Sequence, residues 1–259
     1  MQISSPTNKR IKDLVRLSEK SSERKERGLF IVEGSKEIEL AMEAGHEVDS
    51  FFHCTDMGGR VPSVEEDQYF EITEAVFRKI AYREGSDGMI AVFKTPAHEL
   101  SRIKLSANPL ILILESVEKP GNLGAVLRVA DACNADAVII CDPRTDLYNP
   151  NVIRSSVGCI FTRQLGVCGT ADCQNWLTKN KISTFAASPD ATLIHTTAEL
   201  SGAIALVFGT EATGLSEKWL RFGKMVRIPM LGKNDSLNVA TSVAILSYEA
   251  LRQRNFSCE

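Results

Sequence analysis

Residues 109–141, PLILILESVEKPGNLGAVLRVADACNADAVIIC, set the pattern on which the chain is built. An unbroken apolar run from Leu110 to Leu114 is followed by a polar turn over 115–122. Apolar positions then recur at helical spacing (Leu123, Val126, Leu127, Ala130, Cys133), and a second apolar run spans Ala137–Ile140. Short uninterrupted apolar runs suit strands covered on both faces, so this stretch predicts a βαβ unit. Its turn is where ligands meet such a unit, because strand carboxyl ends and helix amino ends converge there. Gly121 and Gly124 leave backbone open in that turn, Asn122 suits an N-cap, and Arg128 lies six residues on.

The same reading extends to both sides. Residues 4–27 predict one or two helices starting after Ser4-Ser5-Pro6, with a stripe of Ile11, Leu14, Val15 and Leu17 and a break at Gly28. Short strands are expected at 29–32, 48–54, 70–72 and 89–93, with helices at 36–44 and 73–82 between them. Residues 94–108 read as a linker. Downstream, strands are expected at 161–167, 182–187, 203–208 and 225–228, and helices at 174–180 and 236–251. The last helix carries apolar residues around much of its circumference, which calls for heavy burial against the sheet, a second subunit or both. This alternation predicts an α/β protein with a small α/β domain at 1–96 and a larger one at 107–259.

Composition narrows the class. A chain of 259 residues with 44% hydrophobic and 24% charged residues has the balance of a globular protein. No apolar run approaches the roughly 20 residues of a membrane span, and the amino terminus is too polar for a secretory signal. A cytoplasmic protein without a membrane partner is expected. The seven cysteines form no Cys-x-x-Cys pair and have no histidine at ligand spacing; Cys168 and Cys173 come nearest. Reduced thiols and no bound metal are expected. The net charge of −3 conceals an asymmetry: residues 1–30 hold eight basic and four acidic side chains, residues 31–100 six and fifteen. A basic leader of this kind suits either a phosphate-binding surface or a solvated helix face.

Three loops marked by glycine or proline follow three apolar runs, at 119–124, 209–214 and 229–237. If those runs are parallel strands, the loops share one sheet edge and their backbone can wall a pocket. None of them matches a dinucleotide or nucleoside-triphosphate loop, and no Gly-x-Ser-x-Gly nucleophile turn is present.

Asn122-Leu-Gly-Ala-Val-Leu-Arg128, then Phe208-Gly-Thr-Glu211-Ala-Thr-Gly214-Leu215, then Ile228-Pro-Met230 with Ser236-Leu-Asn-Val-Ala240, resemble the three motifs of the SpoU (TrmH-like) RNA ribose methyltransferases of the SPOUT superfamily. All three stand in the family's order, over residues 109–250. Residues 1–95 resemble, more loosely, the substrate-binding domain often attached ahead of that catalytic domain, a fold similar to a small ribosomal RNA-binding protein. The resemblance implies a trefoil knot, S-adenosylmethionine as cofactor, a homodimer with its site at the subunit interface, and RNA as substrate. Of the RNAs, rRNA is favoured over tRNA, because minimal tRNA-acting members often lack the leading domain. It implies cofactor contacts from Gly209, Thr210, Glu211, Gly214, Ile228, Met230, Ser236, Leu237 and Val239. Arg128, Asn122, Glu211, Ser236 and Asn238 are the implied catalytic residues, and Arg154, Ser155, Ser156 and Gly158 match a softer segment near the pocket.

The inferred reaction moves a methyl group to a ribose 2′-hydroxyl, so the protein must align two partners and handle one proton. Arg128 is either a general base or a charged clamp on the neighbouring phosphate. Two other readings stand beside this one: an RNA-binding protein that keeps the knot without catalysis, and a base-methylating member of the superfamily.

Overall fold

The computed structural model describes residues 2–82, 85, 87–210 and 213–254. They form two compact units, one from 1–97 together with 146–162, the other from 98–145 together with 163–259.

The first unit contains β1 (Gln2–Ile3), α1 (Lys9–Glu19), α2 (Ser21–Arg27), β2 (Leu29–Glu33), α3 (Ser35–Glu43), β3 (Val48–His53), β4 (Tyr69–Ile72), α4 (Glu74–Ile80) and β5 (Met89–Lys94). Its sheet runs β1-β4-β3-β5-β2 and is mixed: β5 is antiparallel to both β2 and β3. Helix α1 starts later than the Ser4-Ser5-Pro6 signal suggests, because Asn8 is the cap and its side chain accepts from the Arg10 amide at 2.9 Å. Ile11, Leu14 and Leu17 then recur on one face and are buried with Phe52, Phe70, Phe77 and Ile90. Gly28 ends α2 in the left-handed conformation, φ 61°.

Segment 146–162 joins this unit through side chains that local sequence does not advertise. The Tyr148 ring stacks on Phe30 with centroids 4.0 Å apart. Asp146 accepts from Nε of the buried Arg24 at 2.6 Å, and Arg24 also donates to the Ser18 carbonyl at 3.1 Å. One of the eight leader cations is therefore an internal strut, since a buried charge needs a partner. The segment carries α5 (Pro150–Ser156), capped by the Asn149 side chain on the Asn151 amide.

The second unit contains β6 (Leu110–Glu115), α6 (Pro120–Ala132), β7 (Ala137–Cys141), β8 (Gln164–Cys168), α7 (Thr170–Lys179), β9 (Ser183–Ala187), β10 (Ile204–Phe208), α8 (Glu217–Phe222), β11 (Lys224–Val226) and α9 (Val239–Gln253). Its sheet runs β11-β9-β10-β6-β7-β8 and every pairing is parallel. Strands β6, β7 and β10 are buried along their whole length, as their unbroken apolar runs require. Chain order and spatial order part at β10, which lies between β9 and β6 although it follows β9. Helix α8 is an element that periodicity does not announce: it has six residues, three of them charged, around a Trp219 with 0% exposure. Among the described residues no helix is long and apolar enough to cross a membrane.

Candidate functional site

Because the second sheet is wholly parallel, the segments after β6, β9, β10 and β11 all leave at its carboxyl edge. Two cavities lie there. The larger, about 470 Å³, is lined by Ala187–Asp190 after β9, by Gly209, Thr210, Thr213 and Gly214 after β10, by Ile228 and Met230 after β11, and by Asp235, Ser236, Leu237 and Val239 ahead of α9. The smaller, about 90 Å³, is lined by Val117, Glu118, Lys119 and Asn122 with Gly209, Thr210 and Val239. Gly209, Thr210 and Val239 thus wall both.

The 209–214 loop is closed on itself. Thr210 and Gly214 exchange backbone hydrogen bonds of 3.1 and 3.0 Å, and the Thr210 hydroxyl accepts from the Thr213 amide at 3.1 Å. Gly214 takes φ +67°, and Gly209 faces it so closely that an added Cβ would stand 2.2 Å from the Gly214 carbonyl. Glycine at 209 is therefore required by the loop's own packing, before any ligand is considered. Leu215 and Val226 supply apolar wall, and Asp190 and Asp235 supply acceptors.

The far end of this loop is held by Glu115, a residue that sequence reasoning left in the turn after β6. It is 7% exposed; its carboxylate accepts from the Ser216 amide at 2.8 Å, the Ser216 hydroxyl at 2.6 Å and the Thr170 hydroxyl at 3.4 Å. A glutamate ending an otherwise apolar strand was the available signal.

The cap expected at Asn122 falls elsewhere. Asn122 is not the N-cap of α6: Lys119 is, with Pro120 in the first turn. Asn122 instead sits inside that turn and lines the smaller cavity. Nor does Ser236 cap α9. Asn238 does, its Oδ1 accepting from the Ala240 amide at 2.9 Å while its Nδ2 donates to Asn122 Oδ1 at 3.2 Å. Ser236 is exposed, lines the larger cavity and lies 3.3 Å from Asp235 Oδ1.

The structure therefore gathers Gly209, Thr210, Gly214, Ile228, Met230, Ser236, Leu237 and Val239 around one cavity, with Asn122 and Asn238 beside it. Glu211 lies outside the described residues. Arg128 lines neither cavity; it is exposed on α6, six residues beyond Asn122 and so about 120° round the helix from it. Arg154, Ser155, Ser156 and Gly158 line neither cavity and belong to the first unit, where the Arg154 guanidinium stands 5.9 Å over the Tyr82 ring.

A parallel sheet whose carboxyl edge holds a backbone-walled cavity of this size defines an α/β protein built to bind a small organic ligand there. Comparison with known proteins makes the class specific. The SpoU rRNA Methylase family profile matches residues 109–248, and the MRM3-like substrate binding domain profile matches residues 8–91. The crystal structure of an RNA 2′-O ribose methyltransferase is 39% identical, with 99% of this chain and 100% of that one covered and a TM-score of 0.82. An AdoMet-bound rRNA methyltransferase from Sinorhizobium meliloti is 25% identical over 99% of both chains, with a TM-score of 0.88. The 23S rRNA (uridine(2479)-2′-O)-methyltransferase of Streptomyces viridochromogenes is 28% identical over 247 residues, covering 88% of this chain and 84% of its own. The chain belongs to the SpoU rRNA methylase family, and it is an S-adenosylmethionine-dependent RNA methyltransferase.

Proposed function

We propose that this enzyme methylates a ribose 2′-hydroxyl of 23S rRNA, with the donor in the larger cavity and the acceptor nucleotide at the smaller one. The observation that carries this reading is the shared wall of Gly209, Thr210 and Val239, which sets two compartments side by side at one sheet edge. A volume of about 470 Å³ is adequate for a nucleoside-sized ligand, the apolar Leu215, Val226 and Leu237 suit an adenine ring, and Asp190 and Asp235 suit hydroxyls or a cation. S-adenosylmethionine supplies a methyl group already activated on a sulfonium sulfur.

The protein's own task is alignment and charge. Asn122 and Asn238, fixed by their mutual hydrogen bond, orient the ribose. Gly209, Thr210, Glu211, Gly214, Ile228, Met230, Ser236, Leu237 and Val239 hold the donor. Arg128, exposed and held on a helix, grips the phosphate beside the target as a charged clamp. It stabilises the negative charge developing on O2′ as its proton passes to solvent water and the methyl group leaves the sulfonium sulfur for the oxygen; this role needs no loss of the guanidinium proton. The reading also includes a cytoplasmic homodimer: α9 leaves Tyr248 exposed and Ala244 and Ile245 half-buried in the single chain, a face suited to a second copy. The leading unit, with its exposed Lys9, Lys12, Lys20 and Lys25, gathers the rRNA.

Incubation with 23S rRNA and S-adenosylmethionine, followed by nucleoside mass spectrometry, tests this. A single 2′-O-methylated nucleoside is expected. A methylated base, or RNA binding without transfer, would replace the proposal with one of its two rivals.

A further inference from the structure

Three cysteines meet at the carboxyl edge of the second sheet, on the β7–β8 side: Cys168 and Cys173, five residues apart, and Cys141, 27 residues before Cys168. Cys141 ends β7 and Cys168 ends β8, and the two are direct partners in the parallel register, so their side chains leave the same face. Cys173 lies in the opening part of α7, immediately after β8. All three sulfurs lie within 4.8 Å of one another; Cys141 and Cys173 are buried, and Cys168 is half-buried. We propose that Cys141, Cys168 and Cys173 form a site for a soft, thiophilic d10 cation such as Zn(II) or Cu(I), bound as a three-thiolate complex entered past Cys168.

The geometry is close to what such an ion needs. A metal–sulfur bond of about 2.3 Å places neighbouring thiolates roughly 3.8–4.0 Å apart, so small side-chain shifts complete the set. The donors are all sulfur, and no histidine or carboxylate atom joins the group among the described residues. Hard cations such as Mg(II) and Ca(II) are disfavoured by such ligands. The surroundings hold the ligands in place. Asp142 Oδ2 accepts from the Thr170 hydroxyl at 2.6 Å, and the Asp142 amide donates to the Cys168 carbonyl at 3.0 Å. These bonds tie the 168–173 corner to the end of β7, so that Cys168 and Cys173 are presented to Cys141. Cys141 and Cys173 belong to the buried apolar core that also holds Ile139 and Leu177, and Cys168 packs against it, so the inner sulfurs lie in apolar surroundings. Spacing along the chain misses this site because its third ligand arrives through sheet register.

The site is reached without the methyl-transfer machinery, since Cys141, Cys168 and Cys173 line neither of the two cavities described above. The test uses the reduced full-length protein titrated with Cd(II) as a spectroscopic stand-in, then with Zn(II) against a chromophoric chelator. One equivalent per chain is expected, with thiolate-to-metal charge-transfer absorption. Cys168→Ser and Cys173→Ser should each reduce the absorption and weaken Zn(II) binding by about 100-fold, while Cys54→Ser and Cys133→Ser should leave both unchanged. Should a cluster variant fail to fold, wild-type protein gives a second reading: Zn(II) must protect Cys168 from alkylation by iodoacetamide. Uptake unchanged in Cys168→Ser, or no protection of Cys168 by Zn(II), overturns the assignment. So does a reduced protein that binds no Cd(II) but loses two thiols to mild oxidation, which would make the cluster a dithiol.

Discussion

Asn238 Nδ2 donates to Asn122 Oδ1 over 3.2 Å, so one side-chain hydrogen bond joins the opening of α9 to the first turn of α6. The other end of the Asn238 amide is also committed, accepting from the Ala240 amide at 2.9 Å. Its orientation is thereby set from both sides. Asn238→Ala removes a helix cap and the link, and should lower stability by about 1 kcal/mol. Asn122→Ala removes the link from α9 without removing a helix cap, and should lower the melting temperature less than Asn238→Ala does while methyl transfer falls. Thermal melts beside single-turnover rates separate the two. Equal losses of stability in both variants would contradict this division.

Gly209→Ala should weaken S-adenosylmethionine binding, because a Cβ at 2.2 Å from the Gly214 carbonyl forces the 209–214 loop open. Overpacking of this kind costs about 1–3 kcal/mol, so the cofactor dissociation constant should rise by roughly ten- to hundredfold. Calorimetry on the purified variant decides it, and an unchanged constant would place the donor outside this cavity.

Glu115→Ala should do similar damage from the opposite end of the loop. The change leaves the Ser216 amide without its buried acceptor, and a hydrogen bond to a charged group contributes about 1.5–3 kcal/mol. Chemical denaturation should register that loss, with weaker cofactor binding beside it. Glu115→Gln keeps an acceptor and should recover part of both. Wild-type affinity in the alanine variant would detach Glu115 from the site.

Arg128→Ala should abolish methyl transfer and spare both cofactor affinity and folding, since the side chain is exposed and lines neither cavity. Arg128→Lys should be nearly as inactive, because an ammonium cannot make the planar two-point contact with a phosphate. Turnover at the wild-type rate in either variant would remove Arg128 from the mechanism.

The leader supplies the fifth test. Arg24 is buried, and the Arg10 guanidinium lies 4.4 Å over the Phe70 ring, so neither is a clean probe of phosphate binding. Lys9, Lys12 and Lys25 are exposed. Replacing these three by Gln should flatten the salt dependence of rRNA binding by roughly one unit of log–log slope per lost contact, with S-adenosylmethionine binding unchanged. A wild-type slope would leave the leader as a solvated helix face.

The strands of the second sheet were legible because burial on both faces writes an unbroken apolar run, as in Leu110–Leu114 and Ile204–Phe208. The three loops followed, since a parallel sheet puts every strand end on one edge. The caps were less readable. Asn122 and Ser236 are both good capping residues, but Pro120 takes the first turn of α6 and thereby places Lys119 at the cap, and Asn238 stands nearer α9 than Ser236 does. The contribution of Ser188–Asp190 to the cavity depends on β9 lying between β10 and β11, a fact of strand order that no local pattern carries. The same holds for Asp146 beneath Arg24, 122 residues away in sequence.

That last pairing bears on how the protein can be made. A single cut anywhere along the chain cannot release the first unit whole, because 146–162 belongs to it and lies beyond β6 and β7. Ending translation at residue 97 would leave Arg24 without Asp146 and Phe30 without the Tyr148 ring stacked on it. On the ribosome the chain that completes the amino-terminal unit is not all available until residue 162 has emerged, by which point the β6, α6 and β7 segments of the second unit have already been synthesised. The two units are interlaced in time as well as in sequence, and neither can be a finished intermediate before the other has begun.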